Sequence, residues 1–130
     1  MTKPKKIIYS NQEEVHQRII KFVKSQLVPE VKEAYLVGSS TTGEFGKYET
    51  SYRNHDGSDI DLVAIVPEDS IPKDWKFLNT ERDWWKLYRG GKIQINNILH
   101  KLDVLVVKQG MEDFARKRMK ELNWNPEKLK

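Results

Sequence analysis

An α/β (α+β) fold, a small mixed β-sheet with helices packed on one side, is what this 130-residue sequence predicts. Two observations carry the prediction. Three short apolar runs, at 34–37, 62–66 and 102–107, the second of them rich in β-branched residues, have the length and composition of buried strands. Two longer segments, 11–27 and 111–122, repeat their apolar residues at helical spacing. The length suits one domain over residues 1–130.

The first helix, 11–27, sets Val15, Ile19, Phe22, Val23 and Leu27 on one face. Ser10 is its expected N-cap, Glu13 completes a capping box, and Pro29 closes it. His16 borders the apolar face and reads as a packing or surface residue. The strand at 34–37 runs at once into Gly38-Ser39-Ser40-Thr41-Thr42-Gly43. Residues 44–57 are polar and without periodicity, an excursion or flexible hairpin on the surface. Its Tyr48, Tyr52, Arg53 and His55 are candidates for substrate contact.

Beyond a loop at 67–72 the aromatics concentrate in Trp75, Phe77, Trp84, Trp85 and Tyr88. Thr80 is placed to cap a short helix over 81–89 that Gly90-Gly91 ends. Its aromatics either pack the core or form a platform for a nucleobase or a partner chain. Residues 93–98 begin as an alternating strand, 99–101 read as a turn, and 102–107 as a strand. After the last helix, 111–122, the chain end is expected to fray.

The chemistry concentrates in Gly57-Ser58-Asp59-Ile60-Asp61-Leu62. Strand side chains alternate, so Asp59 and Asp61 share a face, ~6.6 Å apart along the strand. Like charges so placed repel, and Asp is a poor strand former. A hard divalent cation between carboxylate oxygens compensates, and Mg²⁺ typically uses one or two carboxylates plus substrate phosphates. Upstream, Gly38 allows close backbone approach and Ser39 supplies a hydroxyl in a turn suited to phosphate oxygens. Downstream, Asp103 lies in the apolar run 102–107, where an unpaired carboxylate is costly.

Composition narrows the classes. There is no cysteine, hence no disulfide or thiolate site. Oxygen ligands do not suggest zinc. No apolar run approaches a membrane span, and the basic start is followed by too short an apolar stretch for a signal peptide. The expectation is a cytoplasmic protein without membrane contact. The net charge of +4 mildly favours polyanionic partners.

Gly38 and Ser39, then Asp59 and Asp61, then Asp103, in that order on successive strands, resemble the nucleotidyltransferase superfamily typified by DNA polymerase beta. The likeness is to its small, minimal members, and covers roughly residues 35–107. Two departures are a longer spacer between Ser39 and Asp59, and Ser40 where many small members place a basic residue. The resemblance implies a polymerase beta-like fold and a metal-dependent, ATP-binding type of nucleotidyltransferase. Such an enzyme moves a nucleoside monophosphate from a nucleoside triphosphate to a hydroxyl. It implies Mg²⁺ or Mn²⁺ held by Asp59, Asp61 and Asp103, which are also the catalytic residues, and phosphate contacts from Gly38 and Ser39. It implies an RNA or protein acceptor, and a homodimer or a helical HEPN-type partner. The alternative it leaves is a non-catalytic or partner-dependent nucleotide-binding protein, such as an antitoxin-type subunit of a toxin–antitoxin pair.

Overall fold

A computed structural model describes residues 4–52 and 55–130. Arg53, named above as a substrate-contact candidate, lies outside the described residues, as do the side chains of Tyr52 and His55. The chain forms β1 (Lys6–Ile8), α1 (Gln12–Gln26), β2 (Glu33–Val37), α2 (Ser39–Thr42), β3 (Gly46–Tyr52) and β4 (His55–Gly57). It continues through β5 (Ile60–Ile65), β6 (Lys76–Glu81), β7 (Trp85–Ile95), β8 (Ile98–Val107), α3 (Glu112–Glu121) and β9 (Glu127–Lys128). The main sheet has six strands in the order β6-β7-β8-β5-β2-β9, and β1-β3-β4 form a second, smaller sheet. The β5–β8 pair is parallel and its neighbours are antiparallel, so the main sheet is mixed.

Alternation along β5 divides the core. Ile60, Leu62 and Ala64 join Val15, Ile19 and Val23 of α1 in one cluster. Val63 and Ile65 join Ala115 and Met119 of α3 in another. The helices therefore cover both faces of the sheet, not one as expected. The physical reason is that the central strands are apolar on both faces over much of their length, and each face needs cover. Ile19 and Leu62 are fully buried, and truncating either to alanine costs about 2–5 kcal/mol.

The structure corrects the sequence reading at several local points. The helix expected over 81–89 is instead the end of β6 and the start of β7. Trp84, Leu87 and Tyr88 fit a helical repeat, but Trp85, Leu87 and Arg89 each find a partner on β8, and strand pairing overrides the repeat. Trp75 and Trp84 are core residues, 4% and 5% exposed. The turn expected at 99–101 lies at Asn96-Asn97, both at positive φ, 51° and 67°. Those angles suit a two-residue hairpin turn, which Asn tolerates. Of the two forms expected for 44–57, an excursion or a hairpin, β3 and β4 pair antiparallel as the hairpin, with β3 also paired to β1. The helix cap is Asn11 rather than Ser10, and its side chain makes no capping bond. At the chain end, the Leu129 amide donates to the Ala34 carbonyl at 2.8 Å, so the terminus is paired rather than frayed.

Candidate functional site

Strand register brings the expected residues together. Val37, at the end of β2, is opposite Asp61 on β5, and Asp61 is opposite Asp103 on β8. Asp59 immediately precedes β5. Adjacent strands are ~4.8 Å apart, so Asp61 and Asp103 stand side by side on the face that carries Val63 and Ile65. Burial first, then the charges of Asp103 and Asp59, push the Asp61 carboxyl up to about 7, against a smaller opposing pull from Lys6. This is the electrostatic deficit that a cation relieves.

Gly38 follows β2 with φ +81° and ψ −149°. That region is essentially closed to residues with a Cβ. A Cβ at this position would also stand 3.2 Å from Asp61 Oδ2. The Gly38 amide donates to the Trp124 carbonyl at 3.1 Å. Gly38 thus acts by close approach to Asp61, and its N–H is already used. Ser39 begins the single-turn α2, and its hydroxyl makes no hydrogen bond among the described residues. Ser40 is buried, its hydroxyl donating to the Val37 carbonyl at 3.3 Å, so it does not reach into the site. His16 has a structural role: Nδ1 lies 2.8 Å from the Ser40 carbonyl oxygen and Nε2 2.9 Å from Glu127.

Two further residues shape the site. Arg89 on β7 is the register partner of Asp103, and its Nε donates to Asp103 Oδ1 at 2.7 Å. His100 on β8 is fully buried. Its Nδ1 lies 2.8 Å from the Ser58 carbonyl oxygen, so it donates there, and Nε2 accepts from the Tyr9 hydroxyl at 2.8 Å. The ring presses against Gly57, where a Cβ would come within 2.3 Å of it. His100 thereby ties β8 to the segment that delivers Asp59. Burial pushes its pKa below the usual histidine range. Sequence reasoning placed His100 in a turn and gave Arg89 no role. A histidine two residues before an apolar run was the signal for the first; only register reveals the second.

The donor set is hard and oxygen-rich, which fits Mg²⁺ or Mn²⁺ bound by few protein ligands and completed by phosphate oxygens. Among the described residues, no three His, Cys, Asp or Glu side chains stand together as a ready cage. Arg89 holds one oxygen of Asp103. A cavity of about 600 Å³ opens at the other end of β5, between Lys32, Ile65, Glu68, Gln109 and Arg116. It is remote from the carboxylates, and Arg116 there is committed to Glu33 and Asp113.

No family model, curated protein or solved structure matches the chain.

Proposed function

We propose that this chain is a divalent-metal-dependent nucleotidyltransferase. The observation that carries the reading is the side-by-side placement of Asp61 and Asp103, with Asp59 beside them and Gly38 drawn against Asp61. Asp61 and Asp103 kept side by side at a cost to apo stability, with the charge of Asp59 also felt at Asp61, make sense where positive charge joins them.

In this reading Asp59 and Asp61 would hold one divalent metal, and Asp103 would help hold a second. The bound metal supplies charge neutralisation at the attacking and leaving oxygens. Gly38 gives the phosphates room and Ser39 offers its hydroxyl. The acceptor hydroxyl oxygen attacks the α-phosphorus, and its proton passes to Asp103. The bond from the α-phosphorus to the α,β-bridging oxygen breaks, and pyrophosphate leaves with the electron pair. Arg89 keeps the Asp103 carboxylate turned to the common face until it is needed.

A second reading has one observation in its favour. Phe114 and Leu122 are exposed, 46% and 38%, beside a groove that Trp85 and Trp124 line. That face suits a partner-dependent protein.

The test is incubation with each α-labelled nucleoside triphosphate, Mg²⁺ or Mn²⁺, and RNA and protein acceptors. Metal-dependent label transfer, lost in Asp61→Asn, supports the proposal. No transfer with any triphosphate and no metal-dependent triphosphate binding would contradict it.

A further inference from the structure

The order of strands separates two flanks of the carboxylate cluster. On one side lies β2 with the Gly38-Ser39 turn; on the other lie β7 and β6. That second flank is basic. Lys76 on β6 is the register partner of Arg89 on β7, and Lys92 on β7 is the partner of Lys101 on β8. Directly opposed like charges destabilise a sheet, and here two such pairs adjoin, both cationic.

All four side chains project from the face that bears Asp103. On β8, His100 and Leu102 are buried on the α1 side, so Lys101 and Asp103 project from the other. On β7, Tyr88, Ile93 and Ile95 pack into the α1-side core, which leaves Arg89 and Lys92 opposite. Arg89 and Lys92 are three residues apart, a spacing that would normally put them on different faces. A bulge at Gly90-Gly91 sets two residues against Leu102 alone and restores the alignment. Leu102 explains one of the glycines, because a Cβ on Gly90 would lie 2.6 Å from its Cδ2.

Three of the four cations have donors to spare. Among the described residues the ammonium groups of Lys76 and Lys92 have neither ion pair nor hydrogen bond, and Arg89 uses only Nε. The strip is ~10 Å wide over two strand spacings and ~10 Å long between Arg89 and Lys92. That is a surface for successive phosphates of a chain, and it lies beyond Asp103 from the turn assigned to the triphosphate.

From this placement we infer that the acceptor is a single-stranded nucleic acid, its phosphodiesters lying over Lys76, Arg89, Lys92 and Lys101 and its terminal hydroxyl at Asp103. The inference rests on the transfer reading for the role of Asp103. With Nε on Asp103, the two terminal nitrogens of Arg89 remain for a phosphate. Phosphate contacts of this kind position a strand without reading its sequence.

The experiment uses the full chain and a short fluorescein-labelled single-stranded RNA, with DNA of the same sequence to show whether the 2′-hydroxyl matters. Anisotropy titrations over a salt series compare wild type with Lys76→Gln/Lys92→Gln. The control is Lys117→Gln/Lys120→Gln, which removes equal charge from the exposed face of α3. Affinity should fall at least tenfold in the strip variant and much less in the control. The salt slope should drop by about 1.4, the value for two single-strand phosphate contacts. Binding of Mg–ATP is read in parallel. No RNA or DNA binding by wild type, or equal losses in the two variants, overturns the inference. So does a loss of Mg–ATP affinity with strand affinity intact, which gives the strip to the donor. Strand binding that depends on the strip, without triphosphate binding, upholds the surface and overturns the transfer reading. Triphosphate binding without strand binding does the reverse.

Discussion

Asp61 and Asp103 are register partners on the parallel pair β5–β8, and the neighbouring charge of Asp103 helps raise the Asp61 carboxyl to about 7. An Asp in the unfolded chain ionises near 3.8. The folded state therefore binds the extra proton between these values. Stability from this group is fully present below pH 3.8 and is lost as pH rises through 7. In metal-free protein, Asp61→Asn should raise stability at pH 8 by roughly 2–4 kcal/mol and leave it nearly unchanged at pH 4. Urea unfolding at the two pH values checks this; an equal effect at both would exclude a native-state carboxyl held protonated.

Metal and nucleotide should reverse that penalty. Saturation with Mg²⁺ and a triphosphate at a hundredfold excess over the dissociation constant should stabilise the wild type by about 2.7 kcal/mol. The gain should vanish in Asp61→Asn. Thermal melts with each component alone and with both separate the contributions.

Gly38→Ala should cost about 1–3 kcal/mol, because φ +81° with ψ −149° is a conformation that only glycine adopts freely. The added methyl also crowds Asp61 Oδ2 at 3.2 Å. Denaturant unfolding gives the first effect. Metal-dependent nucleotide binding, weakened beyond what the stability loss explains, gives the second.

The Tyr9–His100–Ser58 chain should show in the pH dependence as well. His100 is held neutral by burial, so its contribution is full above the ordinary histidine value of 6.5 and falls as pH drops below it toward the lowered folded value. This slope is opposite to that of Asp61. The pH dependence of wild type should exceed that of His100→Gln below pH 6.5, once the Asp61 background common to both is subtracted. Tyr9→Phe leaves Nε2 without its donor and should cost about 1–3 kcal/mol. Denaturant titrations measure both.

The sequence made the centre of the molecule legible and its edges much less so. Residues 62–66, 102–107 and the faces of α1 and α3 carry clear apolar patterns, and the spacing of Asp59 and Asp61 sets their common face without any tertiary information. The β6–β7 region misled because Trp84, Leu87 and Tyr88 also satisfy helical spacing and Gly90-Gly91 resembles a helix stop. There the glycines form a bulge, a feature that depends on the partner strand. Strands β3 and β4 carry too few apolar residues to alternate, and only the pairing of β3 with both β1 and β4 defines them. Arg89 joined the site through register alone, fourteen residues before Asp103.

The central claim is that Asp59, Asp61 and Asp103 divide the work of one metal-dependent transfer site. The most direct measurement pairs transfer of an α-labelled nucleoside monophosphate with calorimetric binding of the Mg–triphosphate, in wild type, Asp61→Asn and Asp103→Asn. Relief of repulsion with Asp61 and loss of the Arg89 pair should offset each other in Asp103→Asn, keeping apo stability within about 1 kcal/mol of wild type. Both variants should lose transfer, Asp61→Asn should also lose triphosphate binding, and Asp103→Asn should retain much of it. Full transfer by Asp103→Asn would contradict the account.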